Sequence, residues 1–346
     1  QHQGRTVARD SLTMAKVVLL AGGVGGARMA EGLARALPQG ALTVIANIGD
    51  DEEFYGLHVS PDIDTLIYTL SDRIDRKQGW GVRDDATKTL DVLGELGAPV
   101  WMKLGDADFG LHIWRSWQLA QGRTLTEITR EAAQRLGAIA EILPASDDPV
   151  RTTLLTDDGW MDFQPWFVGA RCEPKVHEIR YESVEKARAS EAAMDALLAA
   201  DGVVLAPSNP VLSIDPILAI GGFREVLASL DVPRVAVSPL IGGKAVKGPL
   251  GRLVEDLGLP DGASGIAGRY SGLIDGFAVD RDDRDDAEAI TSNGLKVLAT
   301  DILMRDPNDA ERLGGELIAF IGGLAGRNGG AGTDGAAGPK FGRLAS

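Results

Sequence analysis

A single cysteine, few aromatics and no long apolar run narrow the possibilities before any motif is read. Cys172 is the only cysteine in 346 residues. That excludes an internal disulfide and any all-cysteine metal site, and it fits a reducing cytoplasm. No stretch nears the roughly 20 apolar residues of a membrane span. The first residues, QHQGRTVARDSLTMAK, hold no apolar segment of a secretory signal. The expectation is a cytoplasmic protein with no membrane contact. Positive charge is scarce too: 35 Lys and Arg against 50 Asp and Glu leave a net charge of −15. A nucleic-acid-binding surface needs clustered cations, so that class is set aside. The histidines, His2, His58, His112 and His177, show no metal-ligand spacing.

What the chain does have is a rhythm of short apolar runs alternating with amphipathic segments of helical length. Lys16–Ala21, Leu42–Ala46, Val203–Ala206, Arg234–Val237, Phe277–Val279 and Val297–Ala299 read as strands. Between and around them, Ala27–Leu37, Thr65–Ser71, Asp84–Leu96, Ala107–Ala120, Glu191–Ala200, Phe223–Ser229, Leu250–Leu257 and Ala310–Phe320 read as helices. Thr126–Leu136 is another, with Thr124 and Glu127 spaced as a capping box. Ile139–Leu143, Arg151–Thr156, Met161–Val168 and Val176–Tyr181 follow one another as strands and suggest a β-rich insertion at about 138–182. Alternation of this kind predicts an α/β fold, Rossmann-like and doubly wound, with a mostly parallel sheet. Residues 16–322 are expected to form one α/β domain. Residues 1–15 read as a flexible leader, with Met14 just before the first strand, and the glycine-rich 323–346 as a disordered tail.

Two loops carry most of the chemical promise. GGVGGAR, at Gly22–Arg28, stands where a strand turns into a helix. Glycines let backbone approach phosphate oxygens, and the helix N-terminus offers free N–H groups. Neither common nucleotide motif fits. The dinucleotide fingerprint wants Gly or Ala where Arg28 stands and an acid near Asn47; a Walker A loop wants Ser or Thr after Gly243–Lys244, where Ala245 is found. After the second strand come six carboxylates, Asp50, Asp51, Glu52, Glu53, Asp62 and Asp64. In so acidic a chain they could be a solvated face, and Asp62 or Asp64 could cap a helix. Their closeness to the glycine loop instead suggests a metal or a general base, since magnesium takes one or two carboxylates plus substrate phosphates. Further loops follow apolar strands: Ser146–Pro149, then Ser208, Asn209 and Pro210, then Ser238 with Lys244 and Lys247. Each is also ordinary turn chemistry. Lys103 reads as a surface cation, Trp114 and Trp117 as packing residues, and Asp282–Asp286 as a solvated helix start.

Taken in order, GGVGGAR, NIGDD, PDIDT, LGDAD, LPASDDP, APSNP and VSPLIGGKAVKGP resemble the 2-phospho-L-lactate transferase (CofD/FbiA) family of deazaflavin coenzyme biosynthesis. The resemblance runs from Lys16 to Gly322. It implies a Mg2+-dependent, homodimeric transferase. The acceptor would be 7,8-didemethyl-8-hydroxy-5-deazariboflavin (Fo). The donor would be a guanosine-diphosphate-linked three-carbon acid, and GMP would leave. Asp64 and Lys103 match the Fo-contacting positions, with Asp64 as orienter or base for the attacking hydroxyl. Asp50 and Asp62 would hold the metal, with Asp51 in reserve. Gly22, Gly23, Gly25, Gly26, Arg28 and Asn47 would serve the phosphates, and Ser208, Asn209, Pro210, Ser238 and Lys244 the nucleotide. The glycine loop departs from the GGTGTPK form of many archaeal members. The rival reading, a UDP-sugar-binding regulator of the same fold, would carry a DDGGSSG-type segment where this chain has DDEEFYG.

Overall fold

The computed structural model describes residues 16–328 of the chain. Seven short strands line up in parallel: β1 (Val17–Ala21), β2 (Leu42–Ala46), β3 (Glu141–Pro144), β4 (Gly202–Leu205), β5 (Arg234–Val237), β6 (Gly276–Asp280) and β7 (Lys296–Thr300). Their order is β7-β6-β5-β4-β1-β2-β3. The central strands β1, β4 and β6 are buried throughout, as continuous apolar runs should be when helices cover both faces of a parallel sheet. The chain builds outward from β1 to β3 and then returns to the other side of β1 as β4. That reversal makes a topological switch point between β1 and β4, where the loops leaving their carboxyl ends frame a crevice.

Four helices position the site: α1 (Gly23–Ala36), α2 (Pro61–Leu70), α3 (Asp106–Ala120) and α4 (Leu125–Leu136). A long helix, α5 (Pro307–Asn328), closes the described chain. It runs past residue 322, where the glycine-rich tail was expected to begin; the rest of that segment and the leader 1–15 lie outside the described residues. In α4 the expected capping box forms, Thr124 Oγ1 accepting from Glu127 N at 3.2 Å and the Glu127 carboxylate from Thr124 N at 3.0 Å. α1 begins at Gly23, not Ala27, because its first turn is held by a distant carboxylate described below. The helix expected over Asp84–Leu96 starts only at Lys88. Asp84 has φ of 55°, which a right-handed helix cannot contain.

The insertion is a three-stranded antiparallel sheet of Arg151–Thr156, Gly159–Asp162 and Val176–Glu182. The first strand expected there is β3, an edge of the main sheet. The expected strand Met161–Val168 stops at Asp162, and Pro165 opens a π-helical turn, Pro165–Gly169, as proline favours the first turn of a helix. Trp166, fully buried, anchors that turn in a small separate core with Leu154, Val176, Leu212 and Leu253.

α1 and α5 cross with backbone against backbone. A Cβ on Gly32 would lie 2.1 Å from the Ala310 carbonyl oxygen, and one on Gly314 would lie 2.7 Å from Gly32 O. Gly315, on the exposed side of α5, would meet nothing within 4 Å. Gly32→Ala should therefore lower stability by about 1–3 kcal/mol through overpacking. Gly315→Ala should raise it by about 0.5–1 kcal/mol by restricting the unfolded chain. Urea unfolding of both variants checks this, and shifts of the same sign would contradict the crossing.

Candidate active site

The Gly22–Gly23 turn between β1 and α1 is where the site begins. Asp62, in the first turn of α2, reaches back and accepts the Gly23 N–H at 2.6 Å on one oxygen and Asn47 Nδ2 at 2.9 Å on the other. Asn47 also donates to Leu212 O at 3.2 Å and accepts from Gly49 N at 2.8 Å. From the loop after β4, Ser208 Oγ accepts Gly22 N–H at 3.3 Å and donates to Gly22 O at 2.7 Å. Only glycine fits here: a Cβ on Gly22 would stand 2.3 Å from an Asp62 oxygen, and one on Gly25 would stand 2.7 Å from Pro207 O. Val24 and Gly25, in the first turn of α1, have no intrahelical acceptor for their N–H groups. They line the cleft with the positive end of the helix dipole behind them.

The six expected carboxylates do not act together. Glu52–Phe54 and Leu57–Val59 form a hairpin whose turn residues, Tyr55 and Gly56, both have positive φ, as a tight primed turn requires. Glu52 pairs with Arg151 at 2.8 Å, and Glu53 is exposed outside the cleft. Asp51 accepts from His58 Nε2 and Ser60 Oγ, each at 2.9 Å. Asp50, Asp62 and Asp64 remain as lining groups.

Asp50 and Asp62 are buried side by side. Burial, then the neighbouring Asp62 and Asp51 charges, push the Asp50 carboxyl well above the usual carboxylate range. Burial also raises Asp62, to about 6, against the lowering effect of its Asn47 and Gly23 hydrogen bonds. Asp50 Oδ1 is buried without a hydrogen-bond partner. Two adjacent buried carboxylates with an orphaned oxygen and, among the described residues, no paired cation are a hard-oxygen donor set that suits a divalent cation such as Mg2+. Among the described residues no group of three or more His, Cys, Asp and Glu forms a complete metal cage, so such an ion would rely on water or substrate for its remaining ligands.

Asp64 has a different environment. Arg115, fully buried on α3, grips it through both guanidinium nitrogens, one of them at 3.2 Å. His112 Nε2 lies 3.1 Å from Oδ2. Burial alone would raise the Asp64 carboxyl, but the Arg115 charge and the His112 bond overcome it and hold it at about 2. Three contacts occupy three of the carboxylate's four lone-pair sites and leave one on Oδ1. The partners are residues that sequence reasoning missed. Their signal is the polar stripe Asp108, His112 and Arg115 on α3, spaced i, i+4, i+7 along one helix face.

These groups share a cleft of about 720 Å³. Of the residues expected at the site, Gly22, Gly23, Gly25, Arg28, Asp50, Asp62, Asp64, Lys103, Ser208, Asn209 and Ser238 line it, whereas Gly26, Asn47, Pro210 and Lys244 do not. Gly26 packs against Ser208 and Ala21, and Asn47 lies beneath the wall. Pro210 opens a π-helical turn that Asn209 caps through Val211 N and Leu212 N. Ser238 likewise turns its own loop by accepting from Leu240 N at 3.1 Å. Lys244 is exposed on the hairpin Leu240–Ile241/Lys244–Ala245, and Lys247 is the lysine of that segment that lines the cleft. Asp283 holds the hairpin by accepting Gly243 N–H at 2.6 Å, so the Asp282–Asp286 run is more than a solvated helix start. Trp117 is 57% exposed, not a packing residue. Around Ser146–Pro149, Asp147 caps α4 at Thr126 N and Ser146 donates to Arg188 O, ordinary turn contacts away from the cleft.

Removing Arg115 would leave Asp64 charged, buried and uncompensated. Arg115→Met should cost about 3–5 kcal/mol, and adding Asp64→Asn should restore part of the loss. Chemical unfolding of the single and double variants measures this; a wild-type midpoint for Arg115→Met would contradict the pairing.

Comparison with known proteins agrees over nearly the whole domain. The model of the family described as 2-phospho-L-lactate transferase CofD matches residues 17–314. A protein named 2-phospho-L-lactate transferase from Methanosarcina acetivorans is 39% identical over 308 residues, 89% of this chain and 98% of its own length. One named phosphoenolpyruvate transferase from Streptomyces griseus is 38% identical over 297 residues, 84% of this chain and 93% of its own. Among solved structures, a UPF0052-family protein from Bacillus halodurans superposes with a TM-score of 0.57 at 15% identity, over 88% of this chain and 99% of that one. That likeness speaks for the fold alone. With β1 through the first turns of α5 inside the match, the chain belongs to the 2-phospho-L-lactate transferase (CofD) family of enzymes.

Proposed function

We propose that this protein transfers a phosphorylated three-carbon acid from a guanosine-diphosphate-linked donor to the terminal ribityl hydroxyl of Fo and releases GMP. The observation that carries the reading is the buried Asp50–Asp62 pair beside the open N-terminus of α1, in one cleft with Asp64 and Lys103. Phosphoryl-type transfer asks the protein mainly for positioning and for neutralisation of oxygen charge. The N–H groups of Val24 and Gly25 and the cations Arg28 and Lys247 supply donors to phosphate oxygens. Arg28 spends one N–H on Met304 O at 2.8 Å, and Lys247 reaches only Gln78 O at 3.4 Å. Both keep donors for an anion.

In the reaction, the hydroxyl oxygen of Fo forms a bond to the phosphorus next to the acid, and the bond from that phosphorus to the GMP oxygen breaks. GMP keeps the bonding electrons, and the hydroxyl proton passes to water or to the departing GMP phosphate. A carboxyl held at about 2 is a weak proton acceptor at neutral pH. Asp64 therefore orients the hydroxyl through its remaining Oδ1 lone pair, and Arg115 and His112 fix the carboxylate in place. Mg2+ held by Asp50 and Asp62 would offset the negative charge of the donor phosphates. Among the relatives, proteins named for phospholactate and for phosphoenolpyruvate transfer are similarly close, so the acid is left as the class. A cytoplasmic homodimer belongs to the same proposal; among the described residues no helix is long and apolar enough to cross a membrane.

Calorimetric titration with Fo, GDP and UDP-sugars, with and without magnesium, tests the reading. Binding of Fo together with GDP is expected. Binding of a UDP-sugar with no affinity for Fo would instead indicate a regulator. Asp64→Asn, which keeps the shape at Arg115, should lower turnover at least about 100-fold through misplacement of the hydroxyl while leaving GDP affinity within about two-fold. Near-normal turnover would remove Asp64 from the reaction.

A further inference from the structure

The insertion contributes an aromatic wall to the cleft that neither the family comparison nor the motifs assign. Phe163 and Phe167 stack with ring centroids 5.2 Å apart and planes 14° from parallel. Both line the cleft, and Phe167 is 37% exposed, although Trp166 beside it is completely buried. The two rings sit before and within the π-helical turn Pro165–Gly169, a wide turn of a kind found often at functional sites. Trp166 Nε1 donates to Pro174 O at 3.0 Å and pins the turn from beneath. Gln164 Nε2 donates to Asp50 O at 3.2 Å and ties the wall to the carboxylate pair. On its far side the turn abuts the segment that carries Lys103: a Cβ on Gly169 would lie 3.5 Å from the Trp101 ring, which itself packs edge-on against Phe54 at 5.2 Å.

The geometry points to Phe163 and Phe167 as a stacking platform for the planar heteroaromatic ring of the acceptor, with Lys103 at its edge. This rests on the proposed transfer to Fo. A flat, polarisable ring gains from an aromatic face in partly dehydrated surroundings. The platform, Lys103, the glycine turn, Arg28 and Lys247 line one and the same cleft. A planar purine could use the same face, and the test separates the two.

Calorimetric titration of full-length wild type, Phe167→Ala and Phe167→Trp with Fo and, separately, with GDP decides it. Stacking on an aromatic side chain should make Phe167→Ala bind Fo about ten-fold more weakly. Phe167→Trp should stay near wild type, and GDP affinity should be unchanged in both. Because Phe167 is partly exposed, thermal unfolding should report an intact fold in each variant. Unchanged Fo affinity in Phe167→Ala beside tight wild-type binding overturns the platform alone, as does a loss that falls on GDP instead. Wild-type protein that binds GDP but not Fo overturns the transfer reaction together with the platform.

Discussion

The site depends on a carboxylate pressed against a backbone turn. Asp62 bonds Gly23 N–H and Asn47 Nδ2 at once, and Ser208 closes the same turn from the loop after β4. One contact set thereby joins the ends of β1, β2 and β4 and the start of α2 at the switch point of the sheet. It exists only because Gly22 carries no side chain: any Cβ would fall 2.3 Å from Asp62. The glycine turn is thus shaped by a side chain of the active site itself. Asp62 both holds the turn and lines the cleft.

Electrostatics explains how so acidic a chain can attract a phosphate ester. Much of its positive charge is spent on ion pairs elsewhere, as Arg76 is on Glu31 and Arg234 on Asp275. Within the cleft, Arg28 and Lys247 bond only backbone carbonyls. The N-terminus of α1 adds a fixed partial positive charge. Asp64 keeps its charge because Arg115 accompanies it into the interior, whereas burial raises both Asp50 and Asp62 and the neighbouring Asp62 and Asp51 charges raise Asp50 further. The three acids of one cleft are thus divided by their neighbours into an ionised carboxylate and a buried pair with raised pKa values.

The sheet was legible because its inner strands are buried on both faces and leave continuous apolar runs, so β2 and β5 stand at their expected bounds. The glycine turn and the aspartates were legible through motif order. What sequence reading missed depends on contacts distant in the chain. Arg115 lies 51 residues from Asp64, and no local pattern pairs them. Glu52 and Glu53 belong to a hairpin set by two residues of positive φ, a backbone state that composition does not reveal. Lys244 and Lys247 look alike in sequence, but Lys244 stands exposed on a short hairpin while Lys247, just beyond it, lines the cleft. The strand expected through Phe163 became a π-helical turn because Pro165 cannot donate to a sheet.

The most direct measurement is a single turnover assay. Purified protein is incubated with Fo, the guanosine-diphosphate-linked acid and magnesium, and the mixture is followed by liquid chromatography and mass spectrometry. The proposed reaction predicts GMP and the phosphodiester of Fo in equal amounts, both lost when a chelator removes the metal. GMP release without the Fo product, or no release at all from protein that holds a UDP-sugar, would contradict it.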